Sequence, residues 1–206
     1  GIRDRDVTGD QTLLFRSTYA LTSNTTGAAN TAVGREALRS NTTGSESTAV
    51  GYQAAYSQTT SGGGDNTAVG HTALYSNQTG TYNTALGRQA LRYNTTASQS
   101  TVVGYQAGYS VTGAADGHTY VGHLCGKFAT TGLYNTGVGL QALYNLTTGN
   151  FNTAVGTSAG GTTTGSYNTT IGYQAATAGL RERTTVVGAN AMFTTGTGSY
   201  NTAIGY

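Results

Sequence analysis

The sequence predicts an all-β protein, a parallel β-solenoid or β-roll of about twelve coils with about 17 residues in each coil. A five-residue phrase, Asn-Thr-Ala-Val-Gly, returns along the whole chain of 206 residues. Gly accounts for 32 residues, Pro is absent and only 9% of the residues are charged. Leu, Ile, Val and Phe together make up under a fifth of the chain, too few for a conventional globular core. Repetition must therefore provide the order that a large core normally provides.

The phrase divides the chain into units of 16 to 19 residues, each ending in what we call the corner glycine. A degenerate earlier copy at residues 11–14 precedes the first clear one. We therefore expect a continuous repeat domain over residues 11–206 and a short charged segment over residues 1–10, and we expect the stack to continue beyond Tyr206. The corner glycines are Gly34, Gly51, Gly70, Gly87, Gly104, Gly122, Gly139, Gly156, Gly172, Gly188 and Gly205.

The residue pattern of each unit predicts that it contains two short strands, a tight glycine corner and a longer polar loop. The alternation around Ala has a period of two, and β-branched residues favour strands, whereas Gly, Thr and Asn disfavour a helix. A second half such as residues 35–40 predicts the second strand, and residues 41–44 are typical of the loop. The absence of Pro leaves the N–H of each strand residue available to the next coil. With about 4.8 Å between neighbouring coils, we expect twelve coils to form a stack about 55 Å long.

Stacking predicts columns of equivalent residues. The Thr column contains Thr31, Thr48, Thr67, Thr84, Thr101, Thr119, Thr136, Thr153, Thr169, Thr185 and Thr202. The aliphatic column contains Val33, Val50, Val69, Leu86, Val103, Val121, Val138, Val155, Ile171, Val187 and Ile204. Both columns face one side of the strand and Ala faces the other, so both faces must be covered. A single roll has one interior, and the simplest cover for the other face is further copies of the chain around a threefold axis.

The repeated Asn-Thr-Ala-Val-Gly-x-x-Ala-Leu units with Asn-Thr-Thr-Gly loops resemble the β-roll heads of YadA-type trimeric autotransporter adhesins. They are also similar to the repeat shafts of bacteriophage tail fibres. The resemblance covers about residues 11–206, although these units are longer than those of the adhesin heads. It implies an obligate homotrimer, an extended rod and a role in attachment to a cell surface.

Several function classes are disfavoured. A net charge of +2 makes no basic stripe for nucleic acid, and the longest apolar run, residues 13–15, is too short to enter a membrane. We expect no catalytic site, because glycosidases need two positioned carboxylates and the acids beyond the head are scattered. We also expect no cofactor. Those acids are Glu36, Glu46, Asp65, Asp116 and Glu182.

Other candidate sites have a simpler structural interpretation beside the functional one. His118, His123 and Cys125 match no standard zinc spacing, so we expect no metal and interpret both histidines as ordinary substitutions. Gly62-Gly63-Gly64-Asp65 resembles part of a calcium-binding repeat but occurs once, which favours a loop insertion. Sequons begin at Asn24, Asn41, Asn77, Asn94, Asn145 and Asn168, and we expect all but the last in outer loops.

Aromatic residues form two further rows, one after the corner glycine and one before the Asn of the phrase. Exposed rings could stack on sugars, but we favour rings that pack on the neighbouring coil. Arg35 with Arg39, and Arg88 with Arg92, are typical of a solvated face. The rows are Tyr52, Tyr105, Tyr173 and Tyr206, and Tyr82, Tyr134, Phe151, Tyr167 and Tyr200.

The leading functional hypothesis is a structural and adhesive fibre segment, the shaft or head of a phage tail fibre or surface adhesin, located in the virion or at the cell surface. Its partners would be further copies of itself and a glycan or protein of the host surface. One alternative is a subunit of an extracellular polymeric solenoid filament, suggested by the chain stopping as a new coil begins. A minor alternative is an ice-binding solenoid that uses the Thr column.

Overall fold

A computed structural model describes residues 12–13, 18–59, 64–113, 115–162, 165–177, 179, 181–192 and 198–206. They form a parallel β-solenoid whose twelve strands follow one another in chain order within a single sheet. The predicted charged segment, residues 1–10, and part of the glycine run, residues 62–63, lie outside the described residues. The strands are β1 (Thr12–Leu13), β2 (Thr31–Val33), β3 (Thr48–Val50), β4 (Thr67–Val69), β5 (Thr84–Leu86), β6 (Thr101–Val103), β7 (Thr119–Val121), β8 (Thr136–Val138), β9 (Thr153–Val155), β10 (Thr169–Ile171), β11 (Thr185–Val187) and β12 (Thr202–Ile204).

The strands are in register, so each Thr lies beside the Thr of the next coil and each aliphatic residue beside its equivalent. Thr84, for example, pairs with Thr101, and Leu86 pairs with Val103. The degenerate first copy also joins the sheet, because Thr12 pairs with Thr31. The parallel solenoid predicted from the repeat is therefore confirmed.

The corner glycines are required by both conformation and space. Gly87 has φ +133°, a value that L side chains rarely adopt. A Cβ atom built there would lie 2.4 Å from the carbonyl oxygen of Gly104 in the next coil. The chain turns so closely at this column that only hydrogen fits between successive corners.

The prediction of two strands in each coil was wrong, because the second half of the unit consists of consecutive turns. We call the six residues after each corner glycine the turn segment. In residues 35–40, Glu36 and Leu38 have φ of +60° and +49°, and the N–H of Ala37 donates to the carbonyl of Gly34. The N–H of Leu38 donates instead to Ala54 in the next coil. Each turn segment thus uses its backbone groups both within the coil and between coils, which a strand pairing only sideways would not do.

The core is a narrow line of small and medium side chains. The middle residue of each strand from β2 to β11 is buried, usually as Ala. The Ala and Leu of the turn segments, such as Ala90 and Leu91, close the core from the opposite side. The Thr and aliphatic columns lie on the outer face of the sheet, where they are half-buried or exposed. One chain therefore covers only one face of its own strands.

A ladder of buried polar side chains, most of them Asn, precedes the strands and links neighbouring coils. The Nδ2 of Asn83 donates to the carbonyl of Ala97 fourteen residues later, at 2.8 Å, while its Oδ1 accepts from the N–H of Ser100, at 3.1 Å. Asn66 precedes it in the same ladder. A side-chain amide can both donate and accept, so this one residue type ties its own loop to the next coil. In the sequence this Asn is simply the first residue of the phrase, and its role becomes visible only when the coils are stacked.

The expectation that most sequons lie in outer loops was wrong for three of them. Asn41, Asn77 and Asn94 are fully buried and form a second amide ladder. The Nδ2 of Asn94, for instance, donates to the Oδ1 of Asn77 at 3.0 Å. Loops rich in Asn and Thr look polar in sequence, but their amides point inward to satisfy backbone carbonyls. Asn145 is the sequon asparagine whose side chain is exposed.

Candidate functional site

The outer face of the sheet carries an uncovered stripe of Thr and aliphatic side chains. Leu86 is 45% exposed, Val138 and Val155 are each 38% exposed, and Ile171 is 41% exposed. The strand spacing makes the stripe about 50 Å long, and the distance between alternate residues makes it about 7 Å wide. The stripe, at about 350 Å², is comparable in area to the largest apolar patches of monomeric proteins, which are often functional.

The turn segments carry two ladders of aromatic and cationic side chains on their outer side. The first ladder occupies position one of the segment: Arg35, Tyr52, His71, Arg88, Tyr105 and His123. The second ladder occupies position five: Arg39, Tyr56, Tyr75, Arg92, Tyr109, Lys127 and Tyr144. Because equivalent positions lie above one another, many of these side chains contact their equivalent in the next coil, as Tyr52 does with His71 at a centroid distance of 5.0 Å.

Contacts within these ladders cover the ring faces. The rings of Tyr56 and Tyr75 stack with centroids 5.1 Å apart and an interplanar angle of 11°. The guanidinium of Arg39 lies 5.8 Å from the Tyr56 centroid on one side, and that of Arg92 lies 5.7 Å from the Tyr75 centroid on the other. Cation–π contacts of this geometry are attractive. These arginines are thus part of the packing and do more than face the solvent.

A third stack precedes the Asn ladder. Phe151 lies between Tyr134 and Tyr167, with centroid distances of 5.3 and 5.1 Å and interplanar angles of 17° and 13°. All three residues are about half exposed: Tyr134 at 49%, Phe151 at 46% and Tyr167 at 52%. Their faces contact one another, so it is mainly ring edges that reach the solvent. This geometry agrees with rings that pack on the neighbouring coil and leaves little face for a sugar within the stack.

The two histidines near Cys125 occupy different environments. His123 is exposed and stacks on Tyr105 at 5.1 Å, whereas His118 is buried in the Asn ladder and stacks on Tyr120 at 4.8 Å. Burial lowers the pKa of His118 to about 4 and raises the pKa of the Cys125 thiol to about 12. Among the described residues, no group of three or more His, Cys, Asp or Glu side chains could hold a metal ion.

The ring of Tyr120 fills an interior position that other coils give to smaller residues, most often Ala. Three glycines make room for it: a Cβ at Gly126 would lie 2.6 Å from the ring, and Cβ atoms at Gly108 and Gly137 would each lie 3.3 Å from it. Burial raises the pKa of Tyr120 well above its usual value. In this irregular coil the ring of Tyr120 therefore fills the interior volume that side chains at the three glycine positions would otherwise occupy.

The described carboxylates occupy three different kinds of environment. Glu36 is buried between two arginines, with its Oε1 3.3 Å from Arg39 and 3.6 Å from Arg35. The side chain of Asp116 accepts the N–H of Ser98 at 2.7 Å. Glu46 and Asp65 line an open groove of about 330 Å³ in the loops, where no described residue pairs with either side chain.

One open cleft lies among the turn segments near the C-terminal end of the second ladder. It has a volume of about 280 Å³ and includes Tyr144, the last ring of that ladder, and Gly161, its equivalent in the next coil.

In the described part of the chain, no helix is long and apolar enough to cross a membrane. No protein-family model, curated protein or solved structure matches this chain.

Proposed function

We propose that this chain is a structural and adhesive fibre segment, the rod-like shaft or head of a tail fibre or surface adhesin. It would act as a homotrimer in a virion or at a cell surface and would space and stiffen an attachment device. The observation that carries the proposal is the uncovered Thr and aliphatic stripe on a rod whose successive coils are joined by backbone hydrogen bonds.

Association of chains through the stripe would bury the aliphatic side chains that a single chain leaves exposed to solvent. The side chains on it are small or medium in size and uncharged, so equivalent stripes can approach closely around a common axis. Burying apolar surface contributes about 25 cal/mol per Å², and the repetition along the rod multiplies a small gain in each coil. Contacts between identical stripes form a closed symmetric assembly.

The mass in solution tests this proposal. Sedimentation equilibrium should give three times the 21.0 kDa of the chain. A Val138→Lys substitution in the middle of the stripe should reduce the mass to that of a monomer, because lysines would meet at the axis without counter-charges. Gln78→Lys, in an exposed loop, is the matched control and should leave the trimer intact.

A stable wild-type monomer would contradict the proposal. A broad mass distribution that grows with concentration would instead indicate the filament alternative. Far-UV circular dichroism of Val138→Lys should match that of the wild type, because the side chain at position 138 lies outside the core.

Ice binding is a second candidate, favoured by one observation: the Thr column faces outward on a regular sheet. Evenly spaced hydroxyl and methyl groups could order water. The neighbouring column is aliphatic, however, which favours contact with protein. We therefore expect no thermal hysteresis in freezing assays, and a clear hysteresis that Thr136→Lys abolishes would favour the ice-binding function.

A further inference from the structure

The second ladder ends at Tyr144, because the next coil offers no ring or cation at the same position. Tyr144 contacts the preceding coil, where Phe128 packs against its ring at 5.1 Å and the Nζ of Lys127 lies 6.0 Å from its centroid. In the following coil the same position is Gly161, which has no side chain to cover the other face. The stacking seen at Tyr56 therefore stops at Tyr144.

The same coil also lacks an amide at position two of the turn segment, which is Gln in several other coils. Where two Gln residues are adjacent they pair, as Gln106 does with Gln89 at 2.7 Å. Ser158 replaces Gln in this coil and separates Gln141 from Gln174. Neither of these two amides hydrogen-bonds another described residue.

Together these replacements form the cleft of about 280 Å³, with Tyr144 and Gln141 on one side and Gln174 on the other. The Asn145 and Ser158 side chains also line it. The cleft contains one aromatic platform, the side-chain amides of Gln141, Asn145 and Gln174, the hydroxyl of Ser158, and no charged side chain. Its volume lies just below the range of about 300–1,000 Å³ that accommodates drug-sized ligands.

We propose that this cleft binds a neutral saccharide through one pyranose ring. A pyranose has a face of C–H groups, which complements the electron-rich face of Tyr144, and a rim of hydroxyls that both donate and accept. The side-chain amides of Gln141 and Gln174 can hydrogen-bond those hydroxyls, because each amide has both a donor and an acceptor. The lack of charge disfavours sialylated, sulfated and other ionic ligands.

This inference deepens the attachment role and rests on it, since it names the ligand class that an adhesive segment would recognise. The cleft lies on the turn segments, whereas the stripe proposed for self-association lies on the strands. Loss of saccharide binding and loss of the trimer are therefore separate outcomes.

The test titrates methyl glycosides of glucose, galactose, mannose and N-acetylglucosamine into the full chain, with tyrosine ring resonances followed by NMR. We expect at least one glycoside to bind with a millimolar dissociation constant, as is usual for a ligand of one ring, and to shift the Tyr144 signals. Tyr144→Ala should weaken that binding at least tenfold. Tyr56→Ala is the matched control, because its ring is already covered on both faces, and it should leave binding unchanged.

Gly161→Tyr provides a variant that keeps the platform and fills the cleft. A Cβ at position 161 would meet only the carbonyl oxygens of Ser158 at 3.4 Å and Thr177 at 3.6 Å, so the backbone accepts a side chain there. The new ring should extend the ladder, keep the thermal stability of the wild type and abolish binding. Binding that survives both Gly161→Tyr and Tyr144→Ala, or the absence of any Tyr144 shift with all four glycosides at tens of millimolar, would overturn the inference. Sedimentation of the same samples reports the trimer independently.

Discussion

The ladder position of His118 predicts a specific loss of stability in acid. Its ring is buried, and desolvation lowers its pKa to about 4, against smaller opposing contributions from the backbone of Gly132 and Asn135 and from Asp116. In the unfolded chain the pKa would be about 6.5. Between these two values the unfolded state binds the proton and the folded state does not, so stability falls as the pH falls from about 6.5 to about 4.

The size of this effect follows from the difference between the two pKa values. About 2.5 pKa units at 1.36 kcal/mol each give a loss of about 3 kcal/mol in the free energy of unfolding. His118→Asn should remove the loss, because Asn is the usual residue of this ladder. Its amide would accept the N–H of Asn135 as the Nδ1 of His118 does at 3.3 Å.

The assay is urea unfolding followed by far-UV circular dichroism at pH 7, 6, 5 and 4 for the wild type, His118→Asn and His123→Asn. Carboxylate titration affects all three proteins alike, so the comparison isolates the histidine. His123 is exposed, and its substitution should retain the pH dependence of the wild type. Equal loss of stability in the wild type and His118→Asn would refute this reasoning, as would an NMR titration that places the His118 pKa near 6.5 in the folded protein.

Two further substitutions test the corner glycines and the Asn ladder. Gly87→Ala should destabilise the chain by about 3 kcal/mol, because it combines a positive φ with a Cβ 2.4 Å from a carbonyl oxygen. Gly113→Ala, with φ +62° and no atom within 4 Å of the new Cβ, should cost only about 1 kcal/mol, and equal costs in thermal melts would contradict the steric reasoning. Asn83→Ala should cost about 2–3 kcal/mol because it leaves buried backbone groups unpaired. The exposed Asn145→Ala should cost under about 0.5 kcal/mol, and a similar loss in both asparagine variants would argue against the ladder.

Local chemistry that repeats at a fixed period was readable from the sequence. A period of about 17 residues with Gly at each corner predicts the parallel solenoid, because only stacking places such units in equivalent environments. The alternation around the central Ala also predicts that Thr31 and Val33 share a face. These features depend on residues close to one another in the chain, which a single sequence displays.

Other features required the coils to be stacked in three dimensions. The turn segment reads as a strand because Ala and Leu alternate with larger residues, yet positive φ at residues such as Leu38 makes it a series of turns. The burial of Asn41 in an apparently polar loop depends on carbonyls of its own turn and an amide of the neighbouring coil. No property of Asn41 itself distinguishes it from the exposed Asn145.

The sequence by itself therefore determined the period, the position of the strand around the central Ala and the need for glycine at each corner. Only the tertiary structure decided which groups are covered: the Thr and aliphatic stripe faces outward, rings such as Tyr56 and Tyr75 stack on one another, and Gly161 gives Tyr144 no ring to stack on in the next coil. The physical reason is that coverage depends on the side chain about 17 residues away in the adjacent coil, and it changes wherever a single coil departs from the repeat.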